Sequence, residues 1–106
     1  MVKVLLILHK HPDMDQATFN SYWRNTHARL VAAVPGVARY TQSFPYPDYD
    51  AALPADGVEE LKFDSLMDMQ NALGSPEGAA MRHDLPNFCD MASSGPIVIE
   101  EEREVL

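Results

Sequence analysis

Residues 19–44 read FNSYWRNTHARLVAAVPGVARYTQSF, and the fold follows from this stretch. Phe19, Trp23, His27, Leu30 and Val34 recur at steps of four, four, three and four, which gathers them on one arc of a 3.6-residue helix. Asn20, Arg24, Asn25, Ala28 and Arg29 fall mainly elsewhere. Pro35-Gly36 ends the helix, because proline cannot continue it and glycine tolerates the turn. From Val37 the period changes to two: Ala38, Tyr40, Gln42 and Phe44 share one face of a strand, and Val37, Arg39, Thr41 and Ser43 share the other.

Upstream, Val4 to Leu8 is an uninterrupted apolar run, too short for a helix and rich in strand formers. It reads as a strand over Val2–His9 with both faces buried. His11-Pro12-Asp13 breaks it, and Asp15 is placed to cap a helix over residues 16–34. Downstream, the segment from Pro45 to Gly57 has no period and reads as a long loop with the reach of a lid. Val58–Phe63 is a third strand. Ser65-Leu66-Met67-Asp68 resembles a capping box and starts a short helix that runs to about Leu73. Ser75-Pro76-Glu77 restarts helix, and Pro86 limits it. Ile97, Val98 and Ile99 open a fourth strand, expected to run through the glutamates to Val105 and Leu106.

The order β-α-β-β-α-β predicts one α+β domain over residues 1–106, a ferredoxin-like fold with a four-stranded antiparallel sheet and its helices on one face. Helices cover only that face, yet strand one is apolar on both sides and strand two presents Ala38, Tyr40 and Phe44 together. A second copy is the simplest cover for the other face and makes an α/β barrel across two chains. A homodimer with an apolar pocket is therefore expected.

Composition narrows the function. Sixteen acidic against eight basic residues give a formal charge of −8, which repels phosphate backbones and anionic headgroups, so neither nucleic acid nor membrane is an expected partner. Glu100, Glu101, Glu102 and Glu104 concentrate that acidity in a solvated terminal segment. The single Cys89 excludes an internal disulfide, and no secretion signal is apparent, which fits a reducing cytoplasm. Gly-rich phosphate loops, paired cysteines, zinc-binding His-Glu helices and nucleophile elbows are all missing from the sequence, so no metal or cofactor is expected.

Phe19, Tyr22-Trp23 and His27-Ala28, then Pro35-Gly36, Arg39-Tyr40 and Gln42, resemble the first half of the EthD family pattern. Gly57-Val58, Glu60-Leu61, Phe63-Asp64-Ser65, Ser75-Pro76-Glu77-Gly78 and Asp84 with Pro86-Asn87-Phe88 resemble the second half. The resemblance covers nearly the whole chain and implies a dimeric α/β barrel with a pocket between sheet and helices. Families of this fold include lactone isomerases, cofactor-free monooxygenases, polyketide cyclases and haem-degrading enzymes, and fold alone does not choose among them. Arg29 stands where the family usually has proline, and Leu61 stands where methylmuconolactone isomerases carry a cysteine.

Five residues are the candidate site. His27, with an ordinary pKa near neutrality and an arc shared with Phe19 and Trp23, is the candidate proton carrier. Tyr40 is the candidate donor to a substrate oxygen. Trp23, Phe44 and Phe63 are candidate walls for a hydrophobic ligand, although aromatic residues at these spacings also simply build cores. His9, His11, Arg29 and the Arg82-His83-Asp84 run read more simply as solvated or helix-end residues, Cys89 as a small buried hydrophobe, and the methionines as packing. The expected function is proton transfer on an apolar cyclic or aromatic carbonyl compound, as in an isomerase, a cyclase or a cofactor-free monooxygenase. The alternative is a non-catalytic protein that holds a hydrophobic metabolite. Haem ligation through His27 is a third reading, which no motif requires.

Overall fold

The computed structural model describes residues 1–47 and 55–106. The expected loop from Pro45 to Gly57 lies largely in residues 48–54, outside the described residues, and so does its reading as a lid. Strands β1 (Val2–Leu8), β2 (Arg39–Ser43), β3 (Gly57–Phe63) and β4 (Gly95–Ile99) form one antiparallel sheet in the order β2-β3-β1-β4. The helices pack on one face, so the α+β ferredoxin-like fold expected from the sequence is the fold observed.

The first long helix is α-helical over α1 (Gln16–Ser21), π-helical over Tyr22–His27 and α-helical again over α2 (Ala28–Ala32). Asp15 caps it, accepting from the Thr18 amide at 2.7 Å. Residues four apart drift by about 40° around an α-helix, so a row at steps of four winds off its face. A π turn carries more residues per turn and cancels that drift. Phe19, Trp23 and His27 consequently stay aligned and fully buried, and the next inward position is Val31. This corrects the expected arc: Leu30 is only half-buried, because the π turn shifts the inward register by one residue. Gly36 takes φ +85° at the turn out of the helix, a conformation that only glycine enters freely.

Strand alternation then sorts the sheet. Val4 pairs with Leu61 and Val98, Leu6 with Glu59 and Pro96, Tyr40 with Leu61, and Gln42 with Glu59. All of these share the helix-covered face. The expectation that Tyr40, Ala38 and Phe44 form the uncovered face is therefore corrected for Tyr40, which register places opposite buried Leu61, and for Phe44, whose ring packs on buried Trp23, while Ala38 precedes β2 and is exposed. The face away from the helices carries Lys3, Leu5, Ile7, Val58, Glu60, Lys62, Ile97 and Ile99. The C-terminal strand is corrected as well. β4 ends at Ile99, opposite Lys3, where β1 has only Val2 left, so no strand partner exists for the rest of the terminal segment.

Two further helices, α3 (Leu66–Gly74) and α4 (Pro76–Asp84), complete the layer, capped by Ser65 and Ser75 as the sequence predicts. A short 3-10 turn, Leu85–Asn87, leads into Phe88, whose ring packs on Phe19, Tyr22 and His27 at 5.6, 5.0 and 4.9 Å between centroids. The His11 amide donates to the Phe88 carbonyl at 2.8 Å, and the Asp90 amide to the His9 carbonyl at 2.8 Å. These bonds tie the exit of β1 to the exit of α4 and fix α4 over the sheet.

Candidate functional site

Between the sheet and α4 lies a cavity of about 260 Å³. Its walls are Val4, Leu6 and Leu8 of β1, Leu61 of β3, Leu73, Met81 and Leu85. Two buried polar side chains enter this apolar wall from opposite layers, His27 from the long helix and Glu59 from β3, while Arg82 and Ser94 line it farther out. Both are almost wholly buried, at 0% and 2% exposure.

His27 is held through one nitrogen only. Its Nδ1 lies 2.9 Å from Asp84 Oδ2, and the carboxylate there makes Nδ1 the protonated nitrogen and donor. Asp84 is fixed in turn, with its Oδ1 accepting from the Tyr22 hydroxyl and, at 3.0 Å, from the Asn87 amide. His27 Nε2 is buried and has no hydrogen-bond partner; the nearest carboxylate oxygen, Glu59 Oε1, is 3.9 Å away. Burial opposes the charged imidazole, but Glu59 and Asp84 outweigh it and raise the His27 pKa above its ordinary value. Burial also resists ionisation of Asp84, yet the bonds from Tyr22, His27 and Asn87 prevail and lower its pKa.

Glu59 is held differently. Its Oε1 accepts from Trp23 Nε1 at 2.8 Å and from the Tyr40 hydroxyl at 2.9 Å. Gln42 Nε2 donates to the Tyr40 oxygen at 3.0 Å and to the Trp23 carbonyl at 2.8 Å, so β2, β3 and the long helix are joined by one chain of bonds. Burial and the Glu59 charge push the Tyr40 phenol well above its ordinary pKa, so it stays a proton donor.

The structure thus joins Trp23 and Tyr40 through Glu59 and brings His27 close to the same carboxylate, but only His27 of the five predicted residues lines the cavity. Phe44 stacks on Trp23 at 4.6 Å, with the Arg24 guanidinium 4.3 Å from its ring centre. Phe63 is fully buried in the core. Arg29 is exposed, and His11 Nδ1 accepts only a local bond from the Asp13 amide. Among the described residues no group of three or more His, Cys, Asp or Glu side chains is placed to hold a metal. No helix there is long and apolar enough to cross a membrane. Cys89 is buried, and burial pushes its thiol up to about 12, far from nucleophilic use.

Sequence reasoning missed Glu59 and Tyr22 and left Asp84 among helix-end residues. Glu59 was detectable: it alternates with Gly57, Leu61 and Phe63, and a carboxylate on the inward face of a buried strand needs a reason. Nothing in the local sequence marks the meeting of Asp84 with His27, which are 57 positions apart.

The profile of the EthD domain matches residues 11–92. The chain is 30% identical over 101 residues to an uncharacterized 11.0 kDa protein from the thcB-thcC intergenic region of Rhodococcus erythropolis, covering 94% of this chain and 93% of that one. In structure it is similar to an ethyl tert-butyl ether D (EthD) family protein of Bacillus halodurans, with a TM-score of 0.80, 24% identity and coverage of 96% of this chain and 100% of that one. It is also similar to a dimeric protein of ferredoxin-like fold and unknown function from Bacteroides fragilis, with a TM-score of 0.69, 14% identity and coverage of 94% and 95%. SnoaB, a cofactor-independent oxygenase of Streptomyces nogalater, matches with a TM-score of 0.69, 18% identity and coverage of 98% and 95%.

Proposed function

The chain belongs to the EthD family, and from that premise we propose that it is a small-molecule enzyme in which His27 takes a proton from an apolar cyclic or aromatic carbonyl compound. One observation carries this reading: a buried imidazole nitrogen with no hydrogen-bond partner stands at an apolar cavity while Asp84 holds the other nitrogen. A merely structural histidine would satisfy both nitrogens.

In the proposed step, Nε2 removes a proton from the carbon next to the substrate carbonyl. The C–H electron pair moves into the carbon framework as an enolate, and His27 becomes an imidazolium between Asp84 and Glu59. Both carboxylates stabilise that cation, so part of the cost of charge separation is met before the substrate arrives. Returning the proton to another carbon gives isomerisation, attack of the carbanion on a second carbonyl gives cyclisation, and reaction with dioxygen gives oxygenation. The cofactor-independent oxygenase with this fold supports such chemistry as one that the architecture accommodates. Tyr40 receives a positioning role, because its hydroxyl proton is committed to Glu59. Trp23 shares that role, and Phe44 and Phe63 support the wall from behind.

The proposed working form is a homodimer. In support, the face of the sheet away from the helices carries Leu5, Ile7, Val58, Ile97 and Ile99, with Ile7 36% and Ile97 50% exposed. The similarity to a dimeric ferredoxin-like protein points the same way.

Deuterium uptake next to the carbonyl of 1-tetralone in D₂O, followed by proton NMR, tests the chemistry. Wild-type protein is expected to accelerate uptake and His27→Ala to return it to the buffer rate. Binding of the ketone without uptake would replace the enzyme with the alternative, a protein that holds a hydrophobic metabolite.

A further inference from the structure

The lining residues of the cavity divide by exposure. His27, Glu59, Leu8 and Leu61 are buried, whereas Arg82, Met91, Gly95 and Pro96 are exposed. The cavity therefore runs from a closed end at the imidazole to a mouth between α4 and the start of β4. Arg82 is the one arginine or lysine among the described lining residues. Its guanidinium donates through Nη2 to the Leu73 carbonyl at 3.0 Å, which holds the head in place. No carboxylate of the described residues lies within ion-pair distance of it. Among the described residues only Lys3 and Lys62 of the lysines and arginines form ion pairs, and what sets Arg82 apart from the other unpaired cations is its place in the cavity lining.

We propose that Arg82 is a specificity-determining residue that binds an anionic group of the substrate, a carboxylate or an ionised enol or phenol. This deepens the reading of the cavity as a site for proton transfer and rests on it. The substrate then has three parts: an apolar ring body against Val4, Leu6, Leu8, Leu61 and Leu85, an acidic carbon near His27, and an anion at the mouth. A guanidinium presents its donors in a fixed planar fork matched to such anions, and one bond to Leu73 leaves donors free to engage one. The same cation offsets the repulsion that Glu59 and the acidic surface exert on an anionic ligand.

Calorimetry with 2-naphthoate and its neutral isostere 2-naphthamide tests the assignment, with the NMR signals of the His27 ring recorded at each titration point. Wild-type protein is expected to bind naphthoate about tenfold more tightly than naphthamide. Arg82→Gln is expected to abolish that preference while leaving naphthamide affinity and the His27 signals unchanged, and Arg82→Lys to restore only part of it. Equal binding of both probes with His27 perturbed would overturn the anion assignment and leave the catalytic reading standing. Failure of either probe to perturb His27 in wild-type protein would sink the site reading, and the assignment with it. Arg82 is exposed, so its replacement does not threaten folding.

Discussion

Glu59 and Glu60 are adjacent residues of one strand, and they live in different chemical worlds. Glu59 points under the helices, is 2% exposed and accepts from Trp23 and Tyr40. Glu60 points to the other face and lies 3.4 Å from Lys3, in a cluster where Lys3 also pairs with Glu102. The inner carboxylate is fixed by neutral donors and is almost wholly buried, so its charge acts strongly on the titratable groups beside it, Tyr40 and His27. The outer carboxylate is balanced by a lysine and screened by solvent. Position on the pleat, rather than residue type, decides which glutamate faces the cavity and His27.

The largest effect that tests this contrast belongs to His27. His27→Ala should cut turnover in the tetralone exchange by roughly 10²–10⁴-fold, the usual contribution of a positioned base. Glu60→Gln, one residue and one face away from Glu59, should leave it unchanged. A comparable loss in both variants would erase the distinction between faces.

Asp84→Asn should come next, with a loss of about a hundredfold, because the amide no longer fixes the basic tautomer of His27. The same change has a sign in pH. Exchange needs neutral His27, so the wild-type rate should climb as pH passes the raised His27 pKa. Removing the Asp84 charge should move that climb to lower pH. An unmoved profile would show that Asp84 does not tune the base.

Stability gives the matching thermodynamic statement. His27 has a folded pKa above its unfolded value, so the stabilisation by Glu59 and Asp84 is full below pH 6.5 and is lost as pH rises through the folded value. Asp84 behaves oppositely: its folded pKa is lowered, so its stabilisation is present above 3.8 and is lost as pH falls through the folded value. Urea denaturation across pH should show the first decline in wild-type protein and not in His27→Gln.

Packing sets the next scale. A Cβ at Gly57 would sit 2.5 Å from the Trp23 ring, so Gly57→Ala should cost about 1–3 kcal/mol in chemical denaturation, through displacement of the indole that holds Glu59. On the outer face, Ile97→Asp should leave that stability closer to wild type and instead shift sedimentation toward monomer. Unchanged sedimentation would remove the outer apolar row as a dimer surface. The smallest effect is expected from Glu60→Gln, whose unfolding midpoint should move less than that of Gly57→Ala.

Much of this was legible in local sequence. The cap at Asp15, the stop at Pro35-Gly36, the restart at Ser75-Pro76 and four short strands follow from rules that span one or two turns. The element order then leaves the ferredoxin-like sheet as the economical arrangement. His27 also stood out, as a titratable group in an apolar row. The rest was not legible, for one physical reason. A 3.6-residue period points inward at Leu30 because a π turn is invisible to it, and alternation puts Tyr40 on one of two faces without saying which one is covered. The length of the terminal strand is set by its partner β1 and not by local propensity.

The sequence by itself determined the elements and their order, since capping, periodicity and turn chemistry act over a few residues. Tertiary structure decided the surroundings of His27. It brought Asp84 from α4 and Glu59 from β3 to either side of an imidazole on the long helix, across separations of 57 residues to Asp84 and 32 residues to Glu59 along the chain. A side chain becomes a base through the dielectric and the charges around it, and those neighbours are fixed only when the layers pack.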